Sequence, residues 1–394
     1  MEENLFQEKE EGMMMKILYF CTFYHRALLF RQQMDALNDR GHYVRAFSSA
    51  AKGEGIAEKF RPIMDDKVVH VECWNRLDRL LFFPRQWKIE KKLVKAYDLK
   101  QFDLIHAHLL LSSGYSALRM KKKYGVPYVV SVRVTDLKGF IRFPYFKRMA
   151  AKILKNASGV LFLSGSHLDE LMQKYVSEKD RKEIEGKCHV IGNCMESFWT
   201  EHKAAPRTEA PDTGDGLRIL SVAKIKPVKN LPVAAEAVEL LNKKGIKAKL
   251  TIVGENQDDA EFQKIKKFSC VEYIPFMKKE QLIDVYASHD IFLLPSVNET
   301  FGRVYLEAMS QGLPVLYTAG QGFDGNFPDG EVGYAVPSDN PEVIADRIMD
   351  IVGKYPEMSK ACVNNSSLFD ETSIIDQLEK FYQKALGQDQ VTRT

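Results

Sequence analysis

The stretch Asp290-Ile-Phe-Leu-Leu-Pro-Ser-Val-Asn-Glu-Thr-Phe-Gly-Arg-Val-Tyr-Leu-Glu-Ala-Met, ending at Met309, decides how the rest of the chain is read. Ile291 to Leu294 is a short apolar run of the kind that forms a buried strand. Pro295 to Glu299 is a turn-rich loop, and Val304, Leu306, Ala308 and Met309 begin a helical pattern. Thr300 stands where an N-cap is expected, and Gly302 lets backbone amides approach a ligand closely, so the helix mouth reads as an anion site. Glu299 falls in the loop and Glu307 about two turns into the helix. Eight residues at 1.5 Å rise would separate them by roughly 12 Å if the whole stretch were helical. Two carboxylates so placed could bracket an extended polar ligand whose phosphates meet the helix end.

At 394 residues the chain exceeds one ordinary core, and two domains are expected. The balance of 56 basic against 53 acidic residues leaves +3, which points to no nucleic-acid partner. Six cysteines (Cys21, Cys73, Cys188, Cys194, Cys270, Cys362) show no close metal-type pairing, and no apolar secretory leader is evident. The expectation is reduced, buried thiols in a cytoplasmic protein. Apolar runs fall far short of the roughly 18 residues of a membrane span, so a soluble chain is expected, one that could lie against the inner face of a membrane.

Working outward, residues 1–14 read as an acidic leader. Lys16-Ile-Leu-Tyr-Phe-Cys-Thr, Val44-Arg-Ala-Phe, Val68-Val-His-Val, Asp103-Leu-Ile-His-Ala-His, Tyr128-Val-Val-Ser, Gly159-Val-Leu-Phe-Leu-Ser and Cys188-His-Val-Ile read as strands, with helices at Ala27 to Asp39 and Ser112 to Tyr124. Residues 15–200 thus form one alternating α/β domain, and 201–216, with its prolines, glycines and mixed charge, is a linker. A second series fills 217–370. Strands begin at Leu217, Ala248, Val271, Ile291, Leu313 and Gly333; helices are expected at Leu231 to Lys244, Asp258 to Phe268, Lys279 to Ser288 and Pro341 to Val352. A last helix, Thr372 to Leu386 within 371–394, is one that folds of this kind can send back to the first domain. Two doubly wound parallel-sheet domains facing a cleft follow.

Lys224 and Lys229 lie in the loop leaving the first strand of the second series. Ligands of open α/β sheets bind beyond the carboxyl ends of strands, where this loop and the Glu299 loop both project. Two ammonium groups there could hold a diphosphate and offset charge on a leaving phosphate; alone, they would equally be a solvated loop. Glu307 could equally be a partly exposed helical position. His106 and His108 are expected on opposite faces if their strand continues, and a His-x-His pair without a third ligand makes no zinc site. Arg133, Thr135 and Asp136 follow a strand, and either line a cleft or form a turn with an Asp cap. Two basic stretches are interleaved with aromatics, residues 76–95 (with Leu80, Leu81, Phe82, Phe83, Trp87) and 138–152 (with Phe140, Phe143, Tyr145, Phe146). They suit an anionic membrane surface or a lipid-linked acceptor, or are plain amphipathic helices facing the core. No G-x-G-x-x-G follows the first strand and no G-x-x-x-x-G-K-[ST] occurs, which removes the main support for dinucleotide and P-loop chemistry.

Glu299-Thr-Phe-Gly-Arg-Val-Tyr-Leu-Glu307 resembles the E-x7-E signature of retaining GT-B glycosyltransferases. Its flanks resemble glycosyltransferase family 4, as do Ser221-Val-Ala-Lys, Thr251-Ile-Val-Gly-Glu, Val271-Glu-Tyr-Ile-Pro-Phe and Asp329-Gly-Glu-Val-Gly-Tyr-Ala-Val-Pro. The likeness spans the second domain nearly end to end; in the first it rests on Arg40-Gly-His-Tyr-Val44 and Ile105-His-Ala-His108. The resemblance implies two Rossmann-like domains and transfer of a sugar from a nucleotide donor with retention, with no cofactor or metal required. It implies that Glu299 contacts donor-sugar hydroxyls, Glu307 the ribose, and the Phe301 and Gly302 amides the diphosphate. Lys229 matches the family's phosphate lysine, and Lys224 stands where arginine is usual, keeping the charge without the planar fork. His108 would sit near the reacting centre, backbone near Ile274 would meet the base, and Gly254 joins the donor side.

The chain departs from the family in three places. Phe23-Tyr24-His25-Arg26 replaces paired glycines, Arg133-Val-Thr-Asp136 replaces His-Gly-x-Asp, and the Gly320–Gly325 loop lacks a glutamate. Tyr24, His25, Arg26, Arg133, Thr135 and Asp136 are therefore the acceptor-side candidates. The expected function is transfer from a nucleotide-diphosphate sugar, UDP-linked by preference, to a glycan or lipid-linked acceptor in cell-surface polysaccharide synthesis. The alternatives are a nucleotide-sugar epimerase or hydrolase of the same fold, and a catalytically silent sugar- or lipid-binding protein.

Overall fold

A computed structural model describes residues 14–79 and 81–391; apart from Met14, the expected leader lies outside them. Thirteen strands are described: β1 (Lys16–Phe20), β2 (Tyr43–Ala51), β3 (Val68–Trp74), β4 (Leu104–Ala107), β5 (Tyr128–Ser131), β6 (Gly159–Phe162), β7 (Cys188–Val190), β8 (Leu217–Val222), β9 (Ala248–Val253), β10 (Val271–Ile274), β11 (Ile291–Leu294), β12 (Val315–Thr318) and β13 (Gly333–Val336). They form a seven-stranded sheet, β3-β2-β1-β4-β5-β6-β7, and a six-stranded sheet, β10-β9-β8-β11-β12-β13. Every pairing in the second sheet is parallel. Both follow the doubly wound order in which the chain starts mid-sheet, winds one way, then reverses. The reversal lies between β1 and β4 in the first sheet and between β8 and β11 in the second.

A parallel sheet covered on both faces needs strands without a polar side, which is why these segments read as unbroken apolar runs. Ile291, Phe292, Leu293 and Leu294 are all fully buried. Each such side chain contributes about 1.5–3 kcal/mol on leaving water. Ile291 pairs with Ile219 and Phe292 with both Leu220 and Val315, so β11 is locked on both edges. In the first sheet Tyr19 pairs with Ala46 on one side and His106 on the other.

By contacts the described residues form two compact units, one comprising those through Ser131 with Asn156–Gly159 and those from Tyr382 to Val391, the other Val132–Lys155 and Val160–Phe381. The helix Ser112–Tyr124 has the expected bounds, and Leu231–Lys243 and Lys279–Ala287 end one residue early. Asp259–Ile265 is shorter than expected at both ends, beginning where the Asp258 carboxylate accepts the Glu261 amide hydrogen. Tyr355–Ser366 is a helix the periodicity did not reveal. Its Asn and Ser are weak helix formers, but its Tyr355, Met358, Cys362 and Val363 bury one face and Pro356 fits the first turn. The last helix runs longer than expected, Glu371–Val391.

Candidate active site

Beyond the carboxyl ends of β8 and β11 two loops are laced together. The Val297 amide donates to the Val228 carbonyl at 2.8 Å, and the Asn230 side-chain amide donates to the carbonyls of Pro295 (3.1 Å) and Ser338 (2.5 Å). Asn230 and Asn298 are the two non-glycine residues with left-handed backbone among those described, at φ 54° and 71°. Asparagine tolerates that region where branched residues do not. The lacing puts Lys229, at the end of the single turn Pro227–Lys229, 2.7 Å from a Glu299 oxygen. The two side chains are 25% and 13% exposed, partly shielded from water. The Lys138 amine meets the side chain of Asn298, next to Glu299. Ser296, 1% exposed, is buried in the same loop with its hydroxyl beside that of Tyr305; nothing in the local sequence signalled it.

The helix that follows is Arg303–Ser310, and its N-cap is Gly302, not Thr300. Thr300 instead turns its amide to the Glu299 carboxylate at 3.1 Å. Gly302 holds φ 79°, and a Cβ there would sit 2.4 Å from the Tyr305 ring. Tyr305 in turn donates its hydroxyl to the Leu294 carbonyl at 2.6 Å, tying the helix to the end of β11. Gly302 supplies no side-chain cap, the condition in which the first amides of a helix can take an anion instead. Phe301 is buried, packed on Phe323 and Phe369.

Because the helix starts late, Glu307 is its fifth residue, little more than one turn in rather than two. Part of its surface is open, yet dense packing around the carboxyl pushes its pKa up to about 7, against the pull of Arg303, Lys279 and the Tyr286 hydroxyl. Glu196 adds to the upward push and lies 3.4 Å from Lys279 and 3.9 Å from Arg303. Sequence reasoning missed all four neighbours. Arg303, four residues before Glu307 on one helix, carried the only local signal.

Lys224 parts company with Lys229. Its amine pairs with Glu255 at 3.2 Å, with 55% and 52% of the two side chains exposed, so the solvated alternative describes it better. Gly254, just before Glu255, is required by close approach: a Cβ there would lie 1.9 Å from the Ala223 carbonyl oxygen. Its amide donates to Ile274, the last residue of β10, at 3.1 Å. Arg133, Thr135 and Asp136 open the short helix Val134–Leu137; the Asp136 carboxylate accepts the Arg133 amide hydrogen at 3.1 Å, and Thr135 is exposed. That is the capped turn.

In the first unit β4 ends at Ala107, and the expectation that His106 and His108 point to opposite faces fails, because successive residues of a strand alternate and residues two apart share a face. The two rings stack, centroids 3.9 Å apart and 22° between planes. After β1, Tyr24 is buried and points its hydroxyl at the Met34 sulfur. His25 is buried too, with Nδ1 3.1 Å from the Ser48 hydroxyl and Nε2 accepting from Arg26 at 3.0 Å. Burial, with His70 and Arg26 beside it, lowers the His25 pKa to about 4. Arg26 forms an ion pair with Glu54.

Two Rossmann-like parallel sheets, with a Lys–Glu pair and an uncapped helix start at the reversal point of the second, are the architecture of the GT-B fold. The family models agree: residues 29–194 match Glycosyltransferase Family 4 and residues 206–368 match Glycosyl transferases group 1, together most of the chain. The chain belongs to glycosyltransferase family 4. It is similar to D-inositol 3-phosphate glycosyltransferase of Mycobacteroides abscessus, 25% identical over 73% of this chain and 67% of that one. Among solved structures it resembles sucrose-phosphate synthase from Thermosynechococcus elongatus (TM-score 0.70, 17% identity, 95% of this chain and 99% of that one). It also resembles HepE of Anabaena in complex with UDP (TM-score 0.68, 18% identity, 94% and 100%).

Proposed function

We propose that the chain transfers a glycosyl group, with retention of configuration, from a nucleoside-diphosphate sugar to a hydroxyl of a glycan or lipid-linked acceptor in cell-surface polysaccharide synthesis. One observation carries the reading: Lys229 and Glu299 in contact beside the uncapped, left-handed Gly302 at the reversal point of the second sheet. Without donor, the Glu299 carboxylate neutralises Lys229. A bound diphosphate offers that amine a second anion, and the Phe301 and Gly302 amides lie along the same loop. Charge that grows on the leaving diphosphate is then met by a fixed ammonium and oriented N–H groups, the electrostatic term that dominates such group transfers. Glu299 is left to accept hydroxyl hydrogens of the donor sugar, Glu307 those of the ribose. The UDP bound by the Anabaena relative favours a uridine donor here.

A lipid-linked acceptor is supported by the helix Phe82–Ala96 and the turn before it. Phe82, Gln86, Ile89, Glu90 and Leu93 face inward, while Leu77, Leu81, Trp87 and Val94 are exposed beside Lys91, Lys92 and Lys95. The acids of this segment, Asp78 and Glu90, are buried and tied to Lys88 and Arg119. Apolar side chains in a field of lysines suit the inner face of an anionic membrane, where each basic residue contributes about 1 kcal/mol. Among the described residues no helix is long and apolar enough to cross a membrane.

A screen of UDP-, GDP- and ADP-sugars, followed by acceptor profiling and NMR of the product's anomeric centre, tests the reading. A retained anomer with one nucleotide preferred supports it. Free sugar or an epimerised donor as the sole product, whatever acceptor is supplied, overturns it. Cosedimentation with phosphatidylglycerol but not phosphatidylcholine vesicles, lost in high salt, supports the membrane face; equal partition to both refutes it.

A further inference from the structure

The last turns of the helix Glu371–Val391 carry Tyr382 to the residues of β1 and β4. Its hydroxyl lies 2.7 Å from His106 Nδ1 and 3.1 Å from the Tyr19 hydroxyl. The other ring nitrogen of His106, Nε2, lies 2.8 Å from the Ser131 hydroxyl. Tyr382 is fully buried and His106 1% exposed, so bulk water offers neither a substitute partner. His106 is therefore held at both nitrogens, and its ring cannot turn without breaking a bond at each end. On that ring His108 stacks, while Tyr19 and Phe30 set their edges against His108 at 4.7 and 4.8 Å. His108, itself 1% exposed, follows the last residue of β4, beside the reversal point of the first sheet where ligands of open α/β sheets bind.

We propose that Tyr382 is a positioning residue for glycosyl transfer: by its hydrogen bond to His106 it fixes the ring on which His108 rests, setting the orientation of His108. This rests on the reading that His108 stands at the reacting centre. Tyr382 never touches substrate in this scheme; it acts through two imidazoles, from a part of the chain 276 positions away from His106. Its hydroxyl also couples to the tautomer of His106, since donor and acceptor roles along Tyr19, Tyr382, His106 and Ser131 run in one of two concerted directions.

Two variants separate the relevant bond from its neighbour. Tyr382→Phe and Tyr19→Phe both break the Tyr19–Tyr382 bond and keep the rings, but only Tyr382→Phe removes the partner of His106. The assay is release of nucleoside diphosphate from whichever of the UDP-, GDP- and ADP-sugars turns over fastest. Tyr382→Phe is expected to lower kcat about tenfold with donor KM within twofold, and to shift the imidazole nitrogen resonances of His106. Tyr19→Phe is expected to keep kcat within twofold. Ser131→Ala, which frees the other end of His106 without touching the last helix, should lower kcat in the same way, and serves if Tyr382→Phe does not fold. Wild-type kcat in Tyr382→Phe or Ser131→Ala, or equal losses in the two tyrosine variants, overturns the proposal. His108→Ala separates the two levels: wild-type turnover there removes the catalytic reading of His108 itself, whereas a strong loss there beside an unaffected Tyr382→Phe sinks only the positioning role.

Discussion

The loops after β8 and β11 carry charge, whereas the corresponding positions after β1 and β4 carry rings. In the second sheet Lys229 sits on Glu299, with an uncapped helix mouth beside them and a carboxyl, Glu307, whose protonation lies near neutrality. In the first, His106 and His108 stack on each other with the Tyr19 ring set edge-on to His108, and a buried, neutral His25 lies on the neighbouring loop. The strand order is the same, so topology places a site without choosing its chemistry. A charged crest suits a diphosphate. The rings, all buried, form a neutral wall with no such charge.

The strongest break in this comparison comes at Lys229. Lys229→Ala should lower turnover a hundredfold or more, about 3 kcal/mol in the barrier. Steady-state nucleotide release beside a thermal melt checks it, and normal turnover in a folded variant would remove the phosphate role.

Next in size is an opposed pH response. The folded Glu307 carboxyl titrates near 7 against an ordinary 4.5, so the folded chain holds more protons than the unfolded chain between those values. Its contribution to stability is full below 4.5 and is lost as pH rises through 7, by up to about 3 kcal/mol. Folded His25 titrates near 4 against 6.5, so its contribution is full above 6.5 and is lost as pH falls through 4. Urea melts across pH 4 to 8 should therefore show stability rising more steeply with pH in Glu307→Gln and less steeply in His25→Gln. Parallel curves for both variants and the wild type would erase the contrast. Donor affinity should also weaken as pH drops below about 7 in the wild type and stay flat in Glu307→Gln, because a protonated carboxyl accepts fewer ribose hydroxyls.

Gly302→Ala comes third. Left-handed backbone costs an alanine about 1–2 kcal/mol, and the new methyl meets the Tyr305 ring. A lower melting temperature with a raised donor KM is the expected pair of results. Smallest is Lys224→Ala, which removes an exposed ion pair worth under about 1 kcal/mol. A loss of activity there as large as at Lys229 would mean that both amines serve the phosphate.

The alternating strands were legible because a two-sided parallel sheet demands apolar runs, and the order of those runs is written in the chain. The helix Tyr355–Ser366 was not, since its Asn and Ser carry weak propensity and only its bonds to the carbonyls of Asp290, Gly312 and Val332, ahead of β11, β12 and β13, reveal its inner face. Within the site, Glu299, Gly302 and Lys229 could be named from spacing and resemblance. The late start of the Gly302 helix could not, because Thr300 and Gly302 are both acceptable caps, and contact of Tyr305 with Leu294 chooses between them.

By itself the sequence determined two α/β sheets, their crossover pattern and the pair of short stretches from which a donor site is built, all properties of near neighbours along the chain. Tertiary structure alone decided that Lys229 meets Glu299 while Lys224 turns to Glu255, that Glu307 shares its surroundings with Glu196, Lys279 and Tyr286, and that Tyr382 braces His106. Periodicity and capping act within a few residues, whereas an ion pair or a shifted pKa depends on which distant side chains packing brings within a few ångströms.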